Sequence, residues 1–508
     1  MVRRGGALSE KWVEISQLSV SGYKDAESKS NGRGVIMQGT EWKQSFEEYM
    51  KKITEAAKVP GTSVGLAKDG ELVYHQGFGY RDVEMKASIT PDTVFGIGSV
   101  TKSFTCVAIM QLQEAGKLSV HDPIVKYIPE FRLKGGKSVE NITIHHFMTH
   151  SSGLPTLPSL GYAMKRTMLD DPAASEIEYN IHNHESIDTY IDLLNFIASF
   201  DFELLGPPGT ELAYNNDAYG LLGLVIERAS GQSYELFIKT HILEPVEMKH
   251  SVFLVEELGD HADLATCYGN RITDGAHEVY AAPIWWDAPA MRAAGFLKAS
   301  VRDMLKYTEI FRNDGLVGKE RILSARSVEQ MISPHVKLGT NQYYGYGLIV
   351  HPNYHGTRLI EHTGGIKGVA AQMFITKETG ITAMILNNSM SAPVGSMLSG
   401  LVCSLQSLPV DTPPYTYPDI DLPTDRLPEY VGNYKAHAGI GMTVEVEEGK
   451  LVLTMNKAKI PLRSVEEDCF ALNVGGNENV LRFTRDSQGK VNRMNLGGMM
   501  PLIKEKAV

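Results

Sequence analysis

The segment at positions 91–102 reads PDTVFGIGSVTK, and it decides how the rest of the chain is interpreted. Ser99 stands three positions before Lys102, at the start of a run with helical apolar spacing. Residues three apart share a helix face, so the lysine can reach the serine hydroxyl. A serine needs a nearby base, and lysine is one when its pKa is depressed. The spacing predicts a nucleophile and its base; a helix-capping serine and a solvated lysine are the alternative.

A second motif, YNN at positions 214–216, lies in a loop that leads into a predicted helix. A phenol near a lysine can relay protons, so Tyr214 is a candidate catalytic residue. The Asn216 amide offers a donor and an acceptor to a substrate amide. Alternatively, Tyr214 is a core phenol and Asn216 caps the helix.

A third motif, HTGG at positions 362–365, lies between strand-like runs. A glycine pair in a strand allows close approach of a ligand or another backbone. The amides of Ser99 and Gly365 could together bind an oxyanion. His362, Thr363 and Gly364 are then candidate substrate-binding residues, and a bulged edge strand is the alternative.

Each motif alone is weak, because the chain also contains an S-x-x-K at Ser21 and a Y-x-N at Tyr268. In order and with their flanks, the three motifs resemble the serine β-lactamase and penicillin-binding protein superfamily. The closest resemblance is to the branch of class C β-lactamases, D-alanyl-D-alanine carboxypeptidases, D-aminopeptidases and esterases. The flanks that carry it lie at 143–154, 208–210, 243–248, 293–296, 346–348 and 386–389.

The resemblance covers residues 41–405 and implies an α+β fold of two lobes. An antiparallel sheet flanked by helices would stand beside an all-helical lobe, with the site between them. Ser99 would form an acyl-enzyme, Lys102 and Tyr214 would shuttle the proton, and Asn216 would orient the acyl group. No metal or organic cofactor is implied.

Composition divides the chain further. Six prolines between Leu408 and Pro428 indicate an extended linker, and short strands follow it. Residues 427–500 resemble a lipocalin-like domain, a small antiparallel β-barrel. The predicted division is an extension at 1–39, a catalytic domain at 40–407, a linker at 408–426 and the barrel at 427–508. The barrel could cap the site, mediate oligomers or bind a lipid-like ligand, and contact with the catalytic unit or oligomerisation is favoured.

The net charge of −11 argues against a nucleic-acid partner. The sequence shows no signal peptide and no apolar run of membrane-spanning length, so a cytoplasmic protein without a membrane partner is expected. Its four cysteines are widely spaced and indicate buried thiols. The expected partner is a small-molecule or short-peptide substrate, and homo-oligomerisation stays open.

Four residues refine the prediction. His362 replaces the lysine of many β-lactamases, and a histidine near pH 7 is only partly charged, which favours amide, ester or peptide substrates over β-lactams. Lys367 could supply charge, but a solvated lysine is the expectation. Trp285 and Trp286 could line an acyl pocket beneath the polar, irregular excursion at 156–184, although paired tryptophans are more often core residues.

The sequence therefore predicts a serine hydrolase that acts on an amide, ester or peptide, such as a D-amino-acid-containing compound or a specialised metabolite. An acyltransferase of specialised metabolism is the first alternative. A non-catalytic scaffold on the same fold is the second, because fold does not fix function.

Overall fold

The computed structural model describes residues 41–171, 174, 181–259, 263–273, 276–415, 417–437, 441–455, 458–474, 477–498 and 500–505. The extension at 1–39 and the motif at Ser21 lie outside the described residues, as does most of 172–180. The parts of the chain that carry the three motifs are all described.

Helices flank the sheet and build most of the second lobe. They are α1 (Glu41–Ala56), α2 (Thr101–Glu114), α3 (Ile144–Met148), α4 (Ser159–Leu169), α5 (Tyr190–Ser199), α6 (Asn216–Ser230), α7 (Tyr234–Ile238), α8 (Arg292–Gly295), α9 (Val301–Arg312), α10 (Ala325–Met331) and α11 (Val394–Leu405). Polar caps fix several starts: the side chains of Asn215 and Ser300 accept first-turn amides of α6 and α9.

The strands before the linker form one large sheet and three short pairs. They are β1 (Gly61–Lys68), β2 (Glu71–Gly79), β3 (Val94–Gly96), β4 (Tyr268–Thr273), β5 (Ala276–Ala281), β6 (Lys298–Ser300), β7 (Leu316–Val317), β8 (Glu320–Arg321), β9 (Val336–Gly339), β10 (Gln342–Tyr344), β11 (Ile349–Tyr354), β12 (Thr357–Ile366), β13 (Val369–Thr376) and β14 (Ile381–Asn387). The large sheet has the order β2-β1-β14-β13-β12-β11-β10-β9, with every neighbouring pair antiparallel.

Both faces of this sheet are buried, and the strand sequences show why. On β14, Met384 and Leu386 pack into one core with α2, α6 and α9, while Ala383 and Ile385 pack into a second core with α1 and α11. Successive side chains of a strand point to opposite faces, so a continuous apolar run serves both cores.

The helical lobe packs against one face of the large sheet, and α2 lies where the lobe and the sheet meet. Nearly every residue of α2 is buried, because the helix contacts α6, α7 and α8 as well as the sheet side of the molecule. The N-terminus of α2 therefore opens between the two lobes, where Ser99 lies.

After the linker, the chain forms a separate antiparallel sheet that is nearly a closed barrel. Its strands are β15 (Gly432–Lys435), β16 (Gly441–Glu447), β17 (Lys450–Met455), β18 (Ala458–Pro461), β19 (Arg463–Glu466), β20 (Cys469–Val474), β21 (Asn477–Arg485), β22 (Val491–Leu496) and β23 (Met500–Lys504). Chain neighbours pair in sequence, β15 pairs with β23, and the ladder is interrupted between β18 and β19. Apolar side chains such as Tyr434, Leu453 and Phe483 fill the interior, which leaves the lipid-binding option without support.

Comparison with the sequence analysis confirms the α+β fold and the C-terminal barrel. Asp-Gly between two apolar runs is a sequence signal for a β-hairpin, and Asp69 and Gly70 between β1 and β2 both have positive φ, 51° and 87°, as a type I′ turn requires. The prediction that 156–184 is irregular is wrong in part, since α4 occupies Ser159–Leu169. Small residues such as Ser159, Gly161 and Ala163 are buried on this helix together with Met164 and Met168.

Among the described residues, no helix combines the length and apolar character needed to cross a membrane.

Candidate active site

Ser99 lies at a sharp turn between β3 and α2. Gly98 has a φ of +51°, and a Cβ there would come 2.6 Å from the backbone nitrogen of Gly365. Only glycine fits this conformation and this close approach. Thr101 Oγ1 donates to the Gly98 carbonyl at 2.7 Å, which fixes the turn. Ser99 is thus presented, half-buried, at the N-terminus of a buried helix, where the helix dipole favours negative charge.

Lys102 is fully buried beneath Ser99. Its Nζ lies 3.1 Å from Ser99 Oγ, 2.8 Å from Asn216 Oδ1 and 2.6 Å from the Ala294 carbonyl oxygen. All three partners are uncharged, and burial lowers the pKa of Lys102 well below its ordinary value. A neutral amine has two hydrogens and one lone pair. When Asn216 and Ala294 accept the two hydrogens, the lone pair is left to accept the Ser99 proton.

Tyr214 lies on the other side of Ser99. Its hydroxyl hydrogen-bonds Ser99, and its ring centroid is 4.6 Å from Lys102 Nζ. Burial raises the pKa of the phenol above its ordinary value, so Tyr214 is a neutral phenol at neutral pH. A neutral phenol can both donate and accept a proton through one oxygen.

Asn215 and Asn216 have different places at the start of α6. Asn215 is the helix cap, because its Oδ1 accepts the Ala218 amide at 2.7 Å. Asn216 begins the helix and its side chain reaches Lys102. The alternative in which Asn216 is the cap is therefore wrong by one residue.

The third motif lies on an open edge of β12. Pairing with β11 ends at Glu361, opposite Ile349, whereas pairing with β13 continues to Ile366. The turn that carries Ser99 lies against one face of this strand: a Cβ on Gly364 would be 1.9 Å from the Ile97 carbonyl oxygen and 3.0 Å from the Ser99 nitrogen. The sheet edge and the Ser99 amide thus meet at one place.

His362 is not partly charged as expected. It is buried, its Nδ1 lies 2.5 Å from the Thr363 carbonyl oxygen, and its Nε2 lies 2.9 Å from the Tyr344 hydroxyl. Burial, with Lys102 nearby, lowers the pKa of His362 to about 4. The correction has a simple cause: an imidazole that is enclosed by apolar surface stays neutral at pH 7.

Lys367 is also not solvated. It is buried, its Nζ lies 2.7 Å from Asp171, and it donates to the carbonyl oxygens of Ala282 and Ile284. Trp286 donates from Nε1 to the same carboxylate at 2.9 Å and is buried. These contacts join the end of α4 to the turn after the third motif.

Trp285 differs from its neighbour. It is half-buried and packs beside Gly96, where a Cβ would come 3.1 Å from its ring. The structure places Trp285 near the turn that carries Ser99 and Trp286 beneath the segment 156–184. A pocket-lining role for either tryptophan stays a prediction.

Sequence reasoning assigned no role to three groups that the structure brings to the site. They are the Ala294 carbonyl, which accepts from Lys102; Tyr344, which binds His362; and His150, whose ring lies 4.2 Å from that of Tyr214. The segments 143–154 and 293–296 contributed to the family resemblance, and that was the signal available for His150 and Ala294.

Comparison with known proteins agrees with this geometry. A sequence model of the β-lactamase family matches residues 43–398, so the chain belongs to that family of serine hydrolases. A second model, described as a domain of unknown function (DUF3471), matches residues 418–505, the region of the barrel.

The individual relatives have low sequence identity to this chain. Protein flp of Staphylococcus aureus (strain MW2) is 25% identical over 70% of this chain and 65% of flp, so the chain spans less than two thirds of that relative. Penicillin-binding protein 4* of Bacillus subtilis (strain 168) is 25% identical over 81% of this chain and 87% of its own length.

Solved structures extend the likeness across the barrel. The octameric penicillin-binding protein homologue from Pyrococcus abyssi is 30% identical, with a TM-score of 0.64 over 91% of this chain and 99% of that chain. A D-stereospecific amidohydrolase from Streptomyces sp. has a TM-score of 0.58 at 20% identity, over 71% of this chain and 98% of its own. The latter likeness concerns the fold alone.

Proposed function

We propose that this protein is a serine hydrolase that acts through an acyl-enzyme on Ser99. The observation that carries the proposal is the 3.1 Å separation of Ser99 Oγ and Lys102 Nζ, with a buried lysine that has only uncharged partners. Depressing the pKa of a lysine is what turns it into a general base at neutral pH.

In the proposed reaction, the Lys102 amine takes the Ser99 proton as Oγ attacks a carbonyl carbon. The amides of Ser99 and Gly365 hold the resulting oxyanion. Collapse breaks the bond to the leaving group, which receives a proton through Tyr214, and Lys102 returns its proton to the phenol. Water then attacks the ester, and the same groups carry its proton back to Ser99.

The proposed substrate is an amide, ester or short peptide. A neutral His362 offers no fixed positive charge for a substrate carboxylate, which weakens β-lactam selection. The open side of β12 at Thr363–Ile366 suits an extended acyl chain, because a strand edge offers backbone hydrogen bonds to a peptide. The likeness to a D-stereospecific amidohydrolase supports testing D-amino-acid amides.

The test is intact-mass spectrometry after incubation with a fluorophosphonate, a penicillin or p-nitrophenyl acetate. The variants are Ser99→Ala and, as matched control, Ser21→Ala in the other S-x-x-K. We expect an adduct on the wild type and on Ser21→Ala, and none on Ser99→Ala.

The fate of the adduct separates the alternatives. Decay in water indicates a hydrolase, whereas decay only after addition of an alcohol or amine indicates an acyltransferase. A folded protein that forms no adduct with any probe would act as a scaffold, and the proposal would be wrong.

Self-association is part of this proposal. It is supported by the octameric state named for the Pyrococcus abyssi homologue. Light scattering on the purified full chain tests it, and a single species of 56.0 kDa would contradict it.

A further inference from the structure

His150 carries two unfavourable features next to the site. It has a φ of +56°, a left-handed conformation that costs free energy for any residue with a side chain. Its Nε2 is buried and has no hydrogen-bond partner among the residues that the structure describes. Buried polar atoms are nearly always paired, and strained residues cluster at functional sites. The strained backbone and the unpaired Nε2 both destabilise the fold, which indicates a functional role for His150.

Three contacts of His150 lead to Tyr214, and its ring also lies 4.8 Å from the rings of Tyr219 and Tyr344, centroid to centroid. The amide of Ala213, the residue before Tyr214, donates to the His150 carbonyl oxygen at 2.8 Å. The amide of Asn215, the residue after it, donates to His150 Nδ1 at 3.1 Å. The imidazole ring lies 4.2 Å from the Tyr214 ring, centroid to centroid, at 39°. One residue thus holds the phenol from both chain neighbours and from its face.

The tautomer follows from these contacts. Nδ1 accepts the Asn215 amide and therefore carries no hydrogen, so Nε2 carries it in the neutral ring. Burial, with Lys102 and His362 nearby, holds the pKa of His150 well below its ordinary value. The ring is consequently neutral and can keep accepting from Asn215, which a protonated imidazole could not do.

We propose that His150 is a positioning residue, which sets Tyr214 against Ser99 by bracketing it between the Ala213 and Asn215 amides. The inference rests on the proposed function, since it concerns the proton transfer assigned to Tyr214. The left-handed backbone is what brings the His150 carbonyl and side chain to the same segment.

Two substitutions distinguish the hydrogen bond that His150 Nδ1 accepts from a role of the side-chain volume alone. His150→Leu removes the Nδ1 acceptor, whereas His150→Asn keeps an acceptor oxygen near that place and tolerates the left-handed conformation. A misplacement of about 1 Å costs on the order of 10²-fold in rate. We expect acylation by p-nitrophenyl acetate to fall by about that factor in His150→Leu with KM little changed, and His150→Asn to stay within about tenfold of wild type. His121→Leu, at an exposed histidine, is the matched control.

A double-mutant cycle supplies a readout that a merely structural role would not move. In a Tyr214→Phe background, His150→Leu should add less than about threefold, because the residue acts through the phenol. An equal loss in both backgrounds would overturn the inference, as would a His150→Leu protein that acylates at the wild-type rate. If His150→Leu does not fold, a folded His150→Asn that loses about 10²-fold overturns it as well.

Failure of the proposed function is a different result. It is a wild-type protein that forms no Ser99 adduct, and the inference about His150 falls with it. Failure of the inference alone is a wild type that acylates and a cycle without coupling.

Discussion

Lys102 and Lys367 are both buried near the site, and their hydrogen-bond partners differ in charge. Lys367 faces the Asp171 carboxylate at 2.7 Å, whereas Lys102 Nζ hydrogen-bonds the uncharged oxygens of Ser99, Asn216 and Ala294 and lies over the rings of Tyr214 and Tyr219. A buried charge is strongly destabilising unless it is paired. The carboxylate lets Lys367 serve as a structural cation that ties α4 to the turn after β12, while its absence around Lys102 gives a lysine with a depressed pKa. Equal burial therefore accompanies a salt bridge at Lys367 and, in the proposed function, a general base at Lys102.

The largest effect is expected when the Lys102 amine is removed. Lys102→Met keeps the volume and deletes the amine, so the Ser99 proton has no acceptor. We expect adduct formation with p-nitrophenyl acetate to fall by about 10³-fold or more. The free energy of unfolding should change by less than about 2 kcal/mol, because no charge is left unpaired. Stopped-flow acylation and urea denaturation measure the two quantities.

Lys102→Arg is the companion variant for this prediction. Arginine places a nitrogen-bearing side chain there but stays protonated and does not act as a base in proteins, so it should lose acylation as fully as methionine does. A Lys102→Met or Lys102→Arg protein that still acylates at a rate near wild type would mean that another group accepts the Ser99 proton.

At Lys367 we expect the reverse pattern. Lys367→Met leaves the Asp171 carboxylate buried without its cation, and removal of one partner of a buried pair costs on the order of 3 kcal/mol. Urea denaturation of the full chain measures it. The acylation rate should fall far less than in Lys102→Met, because Lys367 touches none of the groups that move the proton.

Two further variants sharpen this prediction. Asp171→Asn in the Lys367→Met background removes the buried carboxylate charge and should recover part of the lost stability. Lys126→Met breaks the exposed pair with Asp122 and should leave the unfolding midpoint unchanged. Equal losses for Lys126→Met and Lys367→Met would show that burial of the pair has no special importance.

The contrast also explains how far the sequence could lead. The Ser99–Lys102 pair was predictable, because three positions on a helix put both side chains on one face. The distinction between Lys102 and Lys367 was not, because it depends on a carboxylate at Asp171 that folding brings from a distant part of the chain. His362 was misjudged for the same reason: its charge is set by burial, which no local pattern shows.

Local structure had a similar limit. The Asp69-Gly70 turn was predictable because the dipeptide itself favours the left-handed conformation. The left-handed conformation of His150 was not, since its contacts with Ala213 and Asn215 come from a loop far along the chain. The α4 helix lies in a stretch that was expected to be irregular, and its buried residues include the small Ser159, Gly161 and Ala163.

A second, less buried ion pair extends the comparison to the barrel. Arg493 on β22 pairs with Glu211 of the catalytic unit and donates to the Leu205 carbonyl oxygen. Asn495, on the same strand, donates to the Leu212 carbonyl at 3.4 Å. The segment 205–212 that these residues hold leads directly to Tyr214, so the barrel buttresses the loop of the second motif.

Arg493→Met should therefore produce the smallest of these effects, and it should change both the free energy of unfolding and the acylation rate. The pair is less buried than Lys367–Asp171, with side-chain exposures of 13% and 25% against 3% and 2%, so we expect a loss of about 1–2 kcal/mol in the free energy of unfolding. Acylation should slow by about two- to fivefold, because the Tyr214 loop loses one support but keeps His150. Glu211→Gln should give the same losses, and the double variant should add little to either, as expected for partners in one interaction. Fully additive losses would show that the barrel and the Tyr214 loop are energetically independent despite their contact.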